Sequence, residues 1–367
     1  ANGDYHLLTG SPCIGTASDG GDMGALAYVP PLPGTPVSGT IATTTWTAAN
    51  SPYIVDGTIT VPAENTLTID PGVDGLFDAD VQFVVEGAIR ANGTETDSIR
   101  FIKGAAPEWG GIRISGGDSS SFVYTRVSDG HADARGGGIY IESAGTRLTM
   151  NNCTISGNSA TDGGGLCSYS DPTVTLMNCT ITGNSVNVGV GWGGGLAILQ
   201  NSTAMLINCT ISGNSAPDGG GLCINSTATL TNCTITGNSA SGNGGGLYND
   251  DAATTTLTNC IMWGDSPQEI FIDNSPLAAT YSDIQSDPVW PGEGNIDADP
   301  LFVDAANGDY HLLTGSPCIG TASDGGDMGA LAYVPLPGTY ISGRITNLEW
   351  IVDESPFRIT GICSVAT

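Results

Sequence analysis

The sequence predicts an all-β fold, a parallel β-helix solenoid of roughly three strands per coil. Three observations carry the prediction: five in-line copies of one 25–30-residue pattern, short alternating Val/Ile/Leu runs within each copy, and Gly, Asn, Ser and Asp at the joints between runs.

The copies open on glycine triplets beginning at 136, 163, 193, 219 and 244, as in GGGLCSYSDPTVTLMNCTITGNS and GGGLCINSTATLTNCTITGNS. Leu or Ile after the glycines, and the alternating residues before Asn-Cys, read as strands, because branched side chains suit a pleated, half-buried surface. The polar residues between them read as corners. The period is too long for a hexapeptide solenoid and carries no helical stripe. Coils stacked about 4.8 Å apart would pair each strand with its copies above and below, burying a core that no single coil can form.

Equivalent letters then become columns. Asn152, Asn178, Asn208, Asn232 and Asn259 fall at a corner, where Asn tolerates left-handed dihedrals and its amide can bond the copy one coil away. The same logic applies to Asn158, Asn184, Asn214 and Asn238. Cys153, Cys179, Cys209, Cys233 and Cys260 are expected to point inward as small apolar fillers, reduced in preference to bonded. Cys167 and Cys223 share another position, separated by a coil carrying Ala197. Two coils span roughly 9.6 Å, beyond disulfide reach.

Thr154, Thr180, Thr182, Thr210, Thr234 and Thr236, with Ser156 and Ser212, alternate with inward residues and are expected to form an outward row. Such a row is a possible binding face for ice or glycan; the plainer reading is that Thr is simply a favoured strand residue. The row ends at Ile261 and Trp263, which the following segment is expected to cover.

A longer repeat sets the domain organisation. Residues 1–30 return unchanged at 306–335, and the likeness continues from SGTIATTTW, ending at Trp46, to SGRITNLEW, ending at Trp350. The chain therefore divides into 1–33, the closing segment of a preceding unit; 34–339, a complete β-helix unit whose own closing segment is 306–335; and 340–367, the start of the next unit. It reads as a window cut from a tandem array. The strands IVDGTITV, NTLTIDPGV, QFVVEGAIRANGT, SIRFI and WGGIRIS open the unit in less regular coils. About eleven coils would make a rod on the order of 50 Å long.

With 37 acidic residues against nine Lys and Arg, the formal charge of −28 repels phosphate backbones and argues against nucleic acid as a partner. No apolar stretch approaches the 18 or so residues needed to span a bilayer. No Lys or Arg lies between Arg147 and Arg344, so the central coils supply no arginine base for a polysaccharide lyase or hydrolase. His131 is the one His outside the duplicated block, and a His without a partner motif is weak ground for catalysis. Asp297 and Asp299 in NIDADP, and Asp19 and Asp22 in SDGGDMG, offer oxygen ligands of the kind Ca²⁺ takes; turn capping is the alternative, and no other cofactor is implied.

The GGG[IL] starts and NCTI[ST]GNS cores over 136–266, with WGGI at 109–112, YSDIQ at 281–285 and ADPLFVD at 298–304, resemble bacterial right-handed parallel β-helix repeat proteins, including those with repeats like the polymorphic outer-membrane proteins. The third Gly and an Ile stand where the outer-membrane type carries GGA and FxxN. The resemblance implies right-handed winding, a cell-surface or extracellular setting, and adhesion or assembly. Because fold does not fix activity, the expectation is a non-catalytic structural protein forming a tandem or self-assembling fibre, its partners being neighbouring copies or units of itself. A surface adhesin or ligand-binding β-helix is the alternative, ahead of a polysaccharide lyase or hydrolase.

Overall fold

The computed structural model describes residues 34–187 and 189–333, and the backbone of the strands Thr339–Ile345 and Phe357–Val365. The chain winds into a parallel β-solenoid. One coil shows the construction: after the triplet at 163, Leu166–Tyr169 forms a first face, Thr173–Met177 a second and Thr180–Thr182 a third. The two-residue strand Ser185–Val186 then adds a short fourth stack before the next triplet, an element that the three-strand reading lacked.

The second face is a continuous sheet of ten strands, from Thr44–Trp46 to Leu277–Thr280, hence nine steps of the solenoid. At about 4.8 Å per step this is roughly 43 Å, a little under the expected length. The first and third faces belong to one 19-stranded sheet because the early strand Tyr53–Val61 runs straight through both: its first half pairs with Asp74–Phe77 and its second with Phe83–Val85. Later coils insert the GNS corner at this point. Outside the strands, the described residues hold short 3₁₀ turns at Ala48–Asn50 and Ala305–Asn307.

Register is strict. Ile155, Ile181, Ile211 and Ile235 lie one over another on the third face, all fully buried. Burial of each such side chain stabilises the fold by about 1.5–3 kcal/mol. The first coils are filled instead by aromatic rings, including Trp46 stacked on Tyr53 at 4.4 Å and Phe77 on Trp109 at 4.0 Å. Glycine triplets are required by the stack itself. A Cβ on Gly164 would fall 2.4 Å from the Ser185 carbonyl oxygen and 2.6 Å from that of Gly194. Coils of unequal length stay in register, the surplus leaving at the corner before the triplet, as around Val190.

The strands Thr339–Ile345 and Phe357–Val365 pair in parallel as Thr35–Thr40 does with Tyr53–Val61. Thr339 faces Phe357 as Thr35 faces Tyr53, and the register shifts at Gly343 as it does at Gly39.

Candidate functional sites along the solenoid

The corner asparagines behave as their residue type demands. Asn152, Asn178, Asn208, Asn232 and Asn259 all hold φ between 50° and 56°, the left-handed region. Their amides form only a partial ladder, with Asn208 Nδ2 donating to Asn178 Oδ1 at 3.1 Å while Asn178 Nδ2 turns to Asn151 Oδ1. The continuous ladder lies in the second set. Asn158 Nδ2 donates to Asn184 Oδ1 at 2.9 Å, Asn184 to Asn214 at 3.0 Å, Asn214 to Asn238 at 2.9 Å, and Asn238 to Asp265 Oδ1 at 2.9 Å. Each of these amides also donates to a carbonyl of the preceding coil, from Val127 to Ile211, so the buried donors are satisfied.

Cys153, Cys179, Cys209, Cys233 and Cys260 are free thiols in the main core, each at most 1% exposed. Their Sγ atoms lie near carbonyls two residues back and one coil below, as Cys209 does with Ile207 and Leu176. Cys167 and Cys223 face outward on the first face, yet are buried around Ala197 in a small cluster with Leu199 and partly buried Tyr140, Tyr169 and Tyr248.

The threonine row requires correction as a binding face. Thr154, Thr180 and Thr182 are half-buried, but Thr210, Thr234 and Thr236 are buried. Cover extends further down the row than Ile261 and Trp263, because the closing segment lies across it. The Ala330 N–H donates to Thr234 Oγ1 at 2.9 Å, the Gly329 N–H to the Asn259 carbonyl at 2.8 Å, and the Ser323 N–H to Asn259 Oδ1 at 2.8 Å. Beneath these bonds Leu312, Cys318, Ala322 and Met328 form an apolar cluster with Ile261.

The acidic loops cap turns. Asp299 Oδ1 accepts the Leu301 N–H at 2.9 Å, and Asp297 and Asp299 are exposed. Asp19 and Asp22 lie outside the described residues; their duplicates Asp324 and Asp327 accept N–H groups of Gly326, Gly320 and Tyr333. Among the described residues no group of three or more His, Cys, Asp or Glu side chains is placed to hold a metal ion. The buried carboxylate nearby is Asp283, which accepts the Ala298 N–H and the Cys318 thiol and is pushed up to about 6 by burial.

A groove that sequence reasoning did not assemble runs over the first face of the early coils. It encloses about 420 Å³ and is lined by Asp80, Gln82, Arg113, His131, Arg135 and Tyr140, among others. Stacking gathers them from separate coils: Tyr140 lies over Arg113, and His131 bridges to Ser159. Arg113 Nε donates to Glu142 Oε1 at 2.7 Å, and Arg135 lies 3.4 Å from Asp162 and 4.1 Å over the Tyr169 ring. Burial, with Glu142 adjacent, pushes the Tyr140 hydroxyl up to about 12. His131 Nδ1 shares a 2.8 Å hydrogen bond with Ser159 Oγ, while Asp133 and Glu108 stand 3.8 and 3.9 Å from Nε2. Both arginines are thus committed to carboxylates. Beside them the groove presents the Asp80 and Asp133 carboxylates, the Gln82 amide, the His131 imidazole and the ring and hydroxyl of Tyr140, groups able to hydrogen-bond a polar ligand.

Sequence reasoning also missed Asp265 and Glu269, two buried acids closing the asparagine ladder. The signal was there: GDS at 264–266 replaces the GNS of the four preceding coils.

No helix among the described residues is long and apolar enough to cross a membrane, which says nothing of a β-barrel. No curated protein matches the chain. The family model described as "Right handed beta helix region" matches residues 88–262, the stretch that contains all the ladder asparagines and cysteines. That region is a right-handed parallel β-helix.

Proposed function

We propose that the protein is a non-catalytic structural element of an extracellular or cell-surface array, built from β-helix units of about 305 residues that meet neighbouring units of their own kind. The observation carrying this reading is the strand pair at 339–345 and 357–365, which repeats the register and the Gly39 irregularity of the unit's first coil immediately after one complete unit. The verbatim return of 1–30 at 306–335 supports it. So do the groove's arginines, each neutralised by a carboxylate and neither free to act as a base.

Electron microscopy of a chain carrying two successive units tests the reading. Rods joined end to end at a fixed angle are expected. Units that pivot freely about the 334–338 junction would reject a stiff array.

A second reading, a glycan-binding surface, is favoured by one feature, the 420 Å³ groove with its Tyr140 ring and tethered polar groups. Screening against immobilised neutral glycans, with Tyr140→Ala as the control, decides it; equal binding by both proteins, or none, sets it aside.

A further inference from the structure

Residues 298–330 lie as a strap over the third face of the last coils. The seat is close: a Cβ on Gly329 would fall 2.8 Å from Thr234 Oγ1 and 2.7 Å from Ile261 Cδ1. Among the described residues, five hydrogen bonds tie the strap to the solenoid. The Ser323 and Gly329 N–H groups donate to Asn259, and that of Ala330 to Thr234. The other two, from the Ala298 N–H and the Cys318 thiol, both at 3.1 Å, end on one carboxyl, Asp283. The chain enters the strap from Ile296, which is bridged to Asp283 in the last coil.

Asp283 is fully buried where strap and solenoid meet, and nothing around it supplies a positive charge. The strand beside it, Ile261–Trp263, carries no titratable side chain. The strap brings the Cys318 thiol, with Asp327 behind it, and the loop that leads into the strap brings Asp297 and Asp299. His311 is held by Asp309 at 2.7 Å, and no Lys or Arg occurs between Arg147 and Arg344. A carboxylate here has two donors but no countercharge, and holding an uncompensated charge out of water is costly. Burial accordingly pushes the Asp283 carboxyl up to about 6, against the pull of its two donors. Burial, with Asp283 adjacent, pushes the Cys318 thiol up as well, so it remains a donor.

We propose that the strap is a proton-gated cover, closed over Thr234, Asn259 and Ile261 while Asp283 is neutral and swinging open after Ile296 when Asp283 ionises. The closed state holds a proton that the open state releases near the ordinary carboxylate value of about 4. Closure is therefore strongest below that value and weakens as pH rises through about 6. Between pH 5 and 7.5 the open fraction rises about tenfold. Opening bares Ile261, Leu312 and Met328, apolar side chains that are each at most 1% exposed when the strap is closed. The gate belongs to a single unit and stands apart from the array reading.

Deuterium exchange of the full chain at pH 5 and 7.5, each rate divided by the intrinsic rate at that pH, tests it. The strap is read in a peptide running from Ser323 past Pro335, because 323–335 recurs at 18–30 and the copies part only at Leu336 against Pro31. About tenfold faster exchange at pH 7.5 is expected there, with peptides from 166–177 in the middle coils unchanged. Asp283→Asn, which cannot ionise, is expected to show no such rise. Three results overturn the proposal: equal strap protection at both pH values, a rise shared by 166–177, which marks global unfolding, and a rise that persists in Asp283→Asn. If Asp283→Asn does not fold, Asp283→Ser is read by the same criteria, and the profile of the native chain still decides the first two.

Discussion

Asp265 occupies the ladder position held by asparagine in the four preceding coils, and its backbone N–H donates to Glu269 Oε1 at 3.0 Å. Every amide bond of the ladder points toward this end, so its last member has to accept, and Asp265 Oδ1 takes both the N–H and the Nδ2 of Asn238. The remaining oxygens, Asp265 Oδ2 and Glu269 Oε2, are buried with no other partner. A shared proton keeps the pair from carrying two charges out of water.

Burial pushes the Asp265 carboxyl up to about 6, and burial together with the adjacent Asp265 pushes Glu269 up to about 10. Raised carboxyl values mean that the folded state binds protons the unfolded chain releases. The resulting stabilisation is full below the ordinary carboxylate range and is lost as pH rises through about 6 and then about 10. Stability should therefore fall between pH 5 and 10, by up to about 1.4 kcal/mol per pH unit where one extra proton is held. Thermal unfolding of the native chain and of Asp265→Asn/Glu269→Gln isolates the effect, because Asp283, also raised, is present in both. Parallel pH profiles for the two proteins would count against the shared proton.

Asn214 sits mid-ladder, donating to Asn238 Oδ1 and the Ile181 carbonyl and accepting both the N–H and the Nδ2 of Asn184. Asn214→Ala strands these partners in the core. At about 1–3 kcal/mol for each unsatisfied buried group, a loss on the order of 3 kcal/mol or more is expected in urea unfolding. A loss below about 1 kcal/mol would mean that water replaces the amide and the ladder contributes little.

The other asparagine column acts through backbone conformation, so its substitution pattern should differ. At φ 52°, Asn208→Gly is expected to be close to neutral, and Asn208→Val to cost about 1–3 kcal/mol. Equal losses for both would show that the amide, and not the left-handed corner, is what matters there.

The five-thiol column is sealed in the core, each residue at most 1% exposed. Because a reagent must reach the sulfur before it can react, native protein is expected to leave these five unlabelled by maleimide for hours and to label them all on denaturation. Rapid labelling of any of the five in the native state would place that coil open to solvent.

How much of this was legible beforehand follows from where the information lay. The ladders, the inward cysteines and the stacking order were readable because each coil repeats the same letters, and a column is only a repeat seen edge-on. The groove was not readable. Arg113, His131, Arg135 and Tyr140 stand in coils of unequal length, and their meeting depends on how far each corner projects. The cover over Thr210, Thr234 and Thr236 was underestimated for a related reason: strand alternation says which way a side chain points, not what later lies on it. Asp265 was missed although a single letter broke the pattern, because a conservative-looking exchange of Asn for Asp hides a change from donor-and-acceptor to acceptor alone.

The longest coil, from Gly163 to Gly193, sheds its surplus sideways near Val190, which is 83% exposed, while Ser185 still faces Ser215 and Leu196 still faces Leu222. The stack does not register what is hung outside it. That corner is a natural place to graft foreign peptides: an epitope or binding loop spliced between Val186 and Trp192 would be displayed at a set height on a rigid post, its spacing from the next graft fixed by the number of coils between them.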